Sequence, residues 1–168
     1  TERFARAFAE YKGAPQAVAV NSCTAGLHLA LVALGIGPGD EVITTTMTFC
    51  ATVNVIGHTG ATPVLVDCEP RSMNIDPAAV EARIGPRTKA IIPVHIQGLP
   101  ADLDPIMAIA RKHNLYVIED ACQSHGAEYK GQKVGTIGDI GTFSLNNFKN
   151  LCGGEGGLFT TDDEDYLH

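Results

Sequence analysis

Two residues in the second half of the chain have the makings of a reactive pair. Asp120 closes the run Leu115-Tyr116-Val117-Ile118-Glu119-Asp120. Lys149 follows 29 residues later, between a β-rich run and the stretch Gly153-Gly154-Glu155-Gly156-Gly157. A lysine amine condenses with an aldehyde to give a Schiff base, and partial burial beside other cations lowers its pKa and frees more of the amine. A carboxylate facing a pyridine nitrogen keeps that nitrogen protonated, since opposite charges at close range favour both charged forms. Glycines beside the lysine let backbone approach a ligand closely. An amine and a carboxylate so placed suit pyridoxal 5'-phosphate (PLP), whose protonated ring accepts electrons. Taken singly, each has a plainer reading. An acid after a buried strand commonly forms a turn, and a lone lysine is commonly a solvated surface group.

Other polar residues gather after β-rich runs. Asn21-Ser22-Cys23-Thr24-Ala25-Gly26 opens a helical pattern, and a helix N-terminus offers free N–H groups and a positive dipole end to a phosphate. On that segment alone an ordinary N-cap is the stronger reading. Phe49, in Thr46-Met47-Thr48-Phe49, could stack on a flat ring, although singly it reads as core. Gln123 could donate to a ring hydroxyl oxygen. Ser144, at the end of another run, could hydrogen-bond a phosphate.

These residues need a scaffold, and the pattern supplies one. β-rich runs fall at Ala17–Val20, Glu41–Thr45, Pro63–Val66, Ala90–Val94, Leu115–Ile118, Gly141–Leu145 and Gly157–Thr160. Helical patterns lie between several of them. Thr1 to Tyr11 reads as an amphipathic helix. Thr24 to Leu34 carries Leu27, Leu31 and Leu34 at helical spacing, with alanines as helix formers. Asp76-Pro77 opens a helix to Ile84, and Asp104-Pro105 opens another before Ile106–His113. Gly35, Gly37, Pro38 and Gly39 end one helix and turn into the next strand. Asp162 to His168 reads as a helix beginning. Alternating α and β elements with apolar strands predict a three-layer α/β/α sandwich around a mostly parallel seven-stranded sheet. Ligands in such sheets bind beyond the carboxyl ends of the strands.

Composition bounds the function. The 168 residues suit one domain with a substantial core. Hydrophobic residues make up 45% and charged residues 18%, as in a globular chain. A net charge of −7 argues against nonspecific nucleic-acid binding, which needs a basic footprint. Apolar runs fall short of a membrane span, and no signal-peptide pattern opens the sequence. Five scattered cysteines without a C-x-x-C read as buried free thiols of a cytoplasmic protein. The histidines show no metal-ligand spacing with them, so no metal is expected.

The sequence resembles the sugar aminotransferases of the DegT/DnrJ/EryC1/StrS group, PLP enzymes of fold type I. The resemblance spans Thr1 to His168. It is carried by Asn21-Ser22-Cys23-Thr24-Ala25-Gly26-Leu27-His28-Leu29-Ala30, Gly37-Pro38-Gly39-Asp40-Glu41-Val42-Ile43, Thr48-Phe49-Cys50-Ala51-Thr52, Pro93-Val94-His95-Ile96-Gln97-Gly98, Ile118-Glu119-Asp120-Ala121-Cys122-Gln123, and Ser144 through Lys149 with Gly154-Glu155-Gly156-Gly157. It departs from the usual family pattern at Cys23, where glycine is common, and at Asn146-Asn147-Phe148.

The resemblance implies roles. Lys149 is the Schiff-base lysine and proton shuttle, and Asp120 pairs with the pyridine nitrogen. Gln123 reaches the ring oxygen, and Phe49 stacks on the ring. Thr24 and Ala25 offer backbone N–H groups to the phosphate, joined by the Ser144 hydroxyl. The implied reaction moves an amino group from glutamate or glutamine to a keto group of a nucleotide-linked sugar or cyclitol. Residues 1–168 would be the PLP-binding large domain, without an N-terminal segment and the smaller C-terminal domain. Family members are homodimers whose sites borrow residues from the partner.

Three other readings remain. Sugar 3-dehydratases of the same family carry histidine at the position of Lys149, so the lysine favours transamination. A non-catalytic regulator that binds a sugar would have little reason to keep Lys149, Asp120 and Gln123 together. A dinucleotide-binding domain fits poorly, because Gly35-Ile36-Gly37-Pro38-Gly39 precedes a strand instead of opening a helix after one.

Overall fold

The computed structural model describes residues 1–167. The predicted architecture is present: an α/β fold with a mostly parallel seven-stranded sheet between two helical layers. The sheet strands are β1 (Gln16–Val20), β2 (Glu41–Thr45), β3 (Thr62–Val66), β4 (Thr88–Ile92), β5 (Tyr116–Asp120), β8 (Ile140–Ser144) and β9 (Gly157–Thr161). Their spatial order is β1-β9-β8-β5-β4-β2-β3. β9 runs antiparallel to both its neighbours, and the other sheet pairings are parallel. Two short strands, β6 (Glu128–Tyr129) and β7 (Gln132–Lys133), form a separate hairpin.

The helices are α1 (Glu2–Lys12), α2 (Cys23–Ala33), α3 (Cys50–His58), α4 (Pro77–Ala82) and α5 (Leu103–His113). Strand residues alternate between faces with period two, and the core divides accordingly. Val42, Ala90, Ile92, Ile118, Ile140 and Phe159 pack with Leu27, Leu31, Val55 and Ile56 of α2 and α3. Ile43, Ile91 and Val117 pack with Val80, Ile106 and Ile109 of α4 and α5 on the opposite face. Phe143 and Leu158 meet Phe8 of α1 on that second face, with the Phe8 and Phe143 rings edge to face at 4.9 Å.

Several expectations need correction. Helix α3 was not foreseen: its sequence CATVNVIGH is poor in strong helix formers, and Phe49 at its N-cap makes no side-chain cap. The helix forms because Thr52, Val55 and Ile56 are buried. α5 starts at Leu103, with Asp102 at the N-cap, so Asp104 lies in the first turn. α4 stops at Ala82, two residues short of Ile84, although Asp76 caps the Ala78 N–H as expected. β4 is Thr88–Ile92, and Val94 makes only an isolated bridge to Asp120. The final segment is a 3-10 turn at Glu164–Leu167; His168 lies outside the described residues. The five thiols are free, but only Cys23 and Cys122 are buried, and Cys50 and Cys152 are exposed. No described helix is long and apolar enough to cross a membrane.

One glycine fixes how the sheet meets α2. A Cβ on Gly157 would lie 2.4 Å from the Ser22 carbonyl carbon and 2.6 Å from the Cys23 nitrogen. Only glycine lets β9 run this close to the start of that helix. Gly157→Ala should therefore lower the unfolding free energy of the full-length protein by about 1–3 kcal/mol, the usual cost of overpacking, as read by denaturant titration.

Candidate active site

The parallel strands deliver their carboxyl ends to one rim, and a cavity of about 490 Å³ opens there. The start of α2 gives Ser22, Cys23 and Thr24, and the turn into α3 gives Phe49, Ala51 and Thr52. The ends of β5 and β8 give Asp120, Cys122 and Ser144, and the loop from 145 to 156 gives Lys149. Asp120 and Lys149, the pair first read from the sequence, thus line one cavity.

Asp120 is buried and closely held. Thr52 Oγ1 donates to its Oδ2 at 2.8 Å, and the Cys122 N–H donates to its Oδ1 at 3.2 Å. The Thr48 and Thr52 hydroxyls are 2.8 Å apart, extending the chain of polar groups. The strand end itself is fixed by the Asp120 N–H to the Pro93 carbonyl at 2.9 Å and the His95 N–H to the Asp120 carbonyl at 3.1 Å.

Lys149 is half-buried, with Nζ 3.8 Å from Cys122 Sγ. Its loop is closed at the base, where the Leu145 N–H donates to the Gly156 carbonyl and the Gly153 N–H to the Leu145 carbonyl, each at 2.8 Å. The Lys149 N–H donates to Asn146 O at 2.9 Å, and Asn146 Nδ2 donates to Glu155 Oε1 at 3.0 Å. These bonds set the lysine at a defined turn.

At the start of α2 the Ser22 hydroxyl caps the Ala25 N–H at 3.1 Å, and Gly26 N–H bonds the Ser22 carbonyl. The Ala25 N–H expected to face a phosphate therefore already has a partner. Thr24 lines the cavity, whereas Ala25 does not. Phe49 lines it with 67% of its surface exposed, so its ring is a wall of the cavity and not a core group. Ser144 lines it through the end of β8, its Oγ accepting from the Asn146 N–H at 3.4 Å. Gln123 lies outside the lining, where its Oε1 accepts from the Gln97 N–H at 2.7 Å, leaving its amide NH₂ as donor.

Sequence reasoning missed the groups beneath the cavity. Glu119 points to the face opposite Asp120 and is fully buried. Its carboxylate accepts from the Gly135, Ile137 and Gly138 N–H groups, each at 2.7 Å, and pairs with His95 Nε2 at 2.9 Å. His95 Nδ1 accepts from the Ala101 N–H at 3.0 Å, so Nε2 carries the proton and donates. Burial pushes the Glu119 pKa up, but the His95 hydrogen bond and the backbone donors outweigh it and hold the pKa below the ordinary value. A Glu inside an apolar strand was the only sign in the sequence. His125 was also missed. Its Nε2 donates to the Ser144 carbonyl at 2.6 Å, and its Nδ1 has no partner among the described residues. Burial lowers its pKa, and the charges of Lys12 and Lys149 add to this against the Ser144 hydrogen bond. Lys12, buried with its amine donating to His125 O at 3.1 Å, is lowered to about 8 by burial. Cys23 is raised well above the ordinary thiol value by its hydrogen bond with Cys122, then by burial and the Asp120 charge.

Comparison with known proteins bears on this arrangement. The profile of the DegT/DnrJ/EryC1/StrS aminotransferase family matches residues 1–168.

The chain belongs to the DegT/DnrJ/EryC1/StrS aminotransferase family.

Members of this family that it resembles include the GDP-perosamine synthase of Caulobacter vibrioides, 55% identical over 96% of this chain and 44% of that protein. The L-glutamine:2-deoxy-scyllo-inosose aminotransferase of Streptoalloteichus tenebrarius is 50% identical over 95% of this chain and 38% of that protein. Among solved structures, S. venezuelae DesV in complex with a ketimine intermediate superposes with a TM-score of 0.95 at 44% identity, covering 99% of this chain and 45% of that one. The chain thus spans less than half the length of the curated relatives it matches.

Two predictions follow from the held carboxylates. Because the folded pKa of Glu119 lies below its unfolded value of about 4.3, its contribution to stability is complete above that value. It is lost as pH falls through the folded pKa. Glu119→Gln, which sets an amide NH₂ against backbone donors, should cost about 2–4 kcal/mol at neutral pH and flatten the acid limb of a stability–pH curve. Thr52→Val should cost about 1.5–3 kcal/mol through the lost hydrogen bond to a carboxylate. Thr52→Ser should restore most of it in the same unfolding titration.

Proposed function

We propose that the full-length protein is a PLP-dependent aminotransferase that moves an amino group from glutamate or glutamine to a keto group of a nucleotide-linked sugar or cyclitol. The observation that carries this reading is the placement of Asp120 and Lys149 on the walls of one cavity that also receives the start of α2. The donor set fits the cofactor. A volume of about 490 Å³ lies within the range of small-molecule sites, roughly 300–1,000 Å³. Thr24 at the helix start and the Ser144 hydroxyl suit a phosphate, with the Ala25 N–H shared between it and Ser22. The exposed Phe49 ring suits a flat heterocycle, and the Gln123 NH₂ suits its hydroxyl oxygen. The acceptor class rests on the relatives, which carry the names of a perosamine synthase and a cyclitol aminotransferase.

When bound, PLP supplies an aldehyde that takes up a primary amine and a ring that accepts an electron pair. The chain's own residues do the rest. Lys149 Nζ would hold the cofactor aldehyde. As a free amine it would carry a proton from the donor carbon bearing the amino group to the cofactor, and in the return half from the cofactor to the acceptor carbon. Asp120 holds a proton on the ring nitrogen, and Thr52 and the Cys122 N–H keep its oxygens from turning away. Lys149 and Asp120 therefore carry the chemistry, and the remaining contacts orient. Residues 1–168 form the PLP-binding large domain of a cytoplasmic homodimer in this reading.

Borohydride reduction of the PLP-loaded full-length protein should leave a pyridoxyl group on the peptide containing Lys149, detected by mass spectrometry. A label on another lysine, or its persistence in Lys149→Ala, overturns the assignment. Asp120→Asn should lower the rate of glutamate- or glutamine-dependent amination at least about 100-fold, with keto-sugar nucleotides and keto-inositols screened as acceptors. No amination of any of these would remove the acceptor class.

A further inference from the structure

Two thiols meet at the base of the cavity. Cys23 is the first residue of α2. Cys122 stands two residues beyond Asp120, in the turn after β5, and lines the same cavity. All three side chains are buried, and one ligand atom from each, two Sγ and a carboxylate oxygen, lie within 4.8 Å of one another. We propose that Cys23, Cys122 and Asp120 form a binding site for a thiophilic divalent cation of the Zn²⁺ class, and that this cation and PLP exclude one another. The second half rests on the cofactor reading given above.

The donor chemistry selects the ion. Two thiolates and one carboxylate suit Zn²⁺ or Cd²⁺, whereas Mg²⁺ and Ca²⁺ take oxygen donors. With Zn–S bonds of about 2.3 Å, tetrahedral neighbours stand roughly 3.4–3.8 Å apart. Cys23 Sγ is already 3.9 Å from Asp120 Oδ1, and no donor pair exceeds 4.8 Å, so the side chains need contract by at most about 1.4 Å. Each donor lines the cavity, which gives the ion an entry path and leaves a fourth position for water.

The surroundings hold the ligands. Thr52 occupies Asp120 Oδ2, which directs Oδ1 to the cysteines. Thr142 Oγ1 lies 3.5 Å from Cys23 Sγ. Such outer contacts orient metal ligands. The Lys149 amine lies 3.8 Å from Cys122 Sγ. Binding releases the two thiol protons to solvent, with no change of oxidation state. Exclusion follows from shared groups. Asp120 cannot ligate the ion and also face a ring nitrogen, and the ion sits beside the amine that anchors the cofactor.

The test uses PLP-free full-length protein in which Cys50, Cys68 and Cys152 are changed to Ser, leaving the two buried thiols. Titration with Cd²⁺ should produce thiolate-to-cadmium ultraviolet absorbance at one ion per chain, reversed by excess Zn²⁺. Cys23→Ser and Cys122→Ser should each weaken it at least about tenfold, with circular dichroism showing that the fold persists. Prior loading with PLP should suppress the absorbance. Equal absorbance in the variants overturns the site, and Cd²⁺ and PLP held together overturn the exclusion. If the parent protein takes up no PLP at all, the cofactor reading and the exclusion fall, while the Cd²⁺ titration judges the metal site by itself.

Discussion

The arrangement depends on the buried carboxylate of Glu119. An ionised group with no exposed surface is tolerable only when its oxygens are filled with donors. Here three backbone N–H groups and one imidazole fill them. Those donors come from two segments far apart in sequence, the loop at 135–138 and the stretch around His95. Each is pulled against the end of β5, and each is satisfied only there. The carboxylate therefore acts as a knot that fixes the strand end from beneath. His95 passes the constraint on, since its other nitrogen holds the Ala101 N–H and its carbonyl accepts the Ser124 hydroxyl at 2.7 Å.

The next residue uses that rigidity for a different purpose. Strand geometry turns Asp120 to the opposite face, where α2 and α3 begin. Two adjacent acids on one strand thus do separate work: one is saturated and structural, and the other keeps acceptor capacity toward a cavity. The difference lies in the partners and not in the residue type. Asp120 meets a hydroxyl from α3, one backbone N–H and a thiol, and its carboxylate borders open space. The tight passage of β9 beneath the start of α2 sets the opposite wall by the same economy of space.

Much of this was legible in the sequence because it follows local rules. Apolar runs gave the strands, and Asp76-Pro77 gave a helix start. The order of motifs brought Asp120, Lys149, Phe49, Thr24 and Ser144 to the ends of strands, and they line one cavity. What was hidden has non-local causes. Helix α3 forms from β-branched residues because burial overrides their propensity. The acceptors and donors around Glu119 are backbone groups, which carry no residue signature. Cys23 and Cys122 are 99 positions apart and become neighbours only when α2 packs on β5. Ala25 was assigned by motif, but which N–H groups Ser22 leaves available is decided by its rotamer. Gln123 could be placed near the site, yet its bond to Gln97 depends on a backbone turn with positive φ at residue 97.

The antiparallel strand β9 has a consequence for synthesis. Among the described residues, β1 occupies an end of the sheet with β9 as its one neighbour. Gln16 pairs with Thr161 and Val20 with Gly157. β1 leaves the ribosome well before β9 and must wait for it, an interval on the order of ten seconds at ordinary translation rates. Closing so long a loop places this pairing among the slow steps of folding. Until it happens, the backbone edge of β1 is open to other chains. The nascent polypeptide is thus the state in which this edge lies exposed.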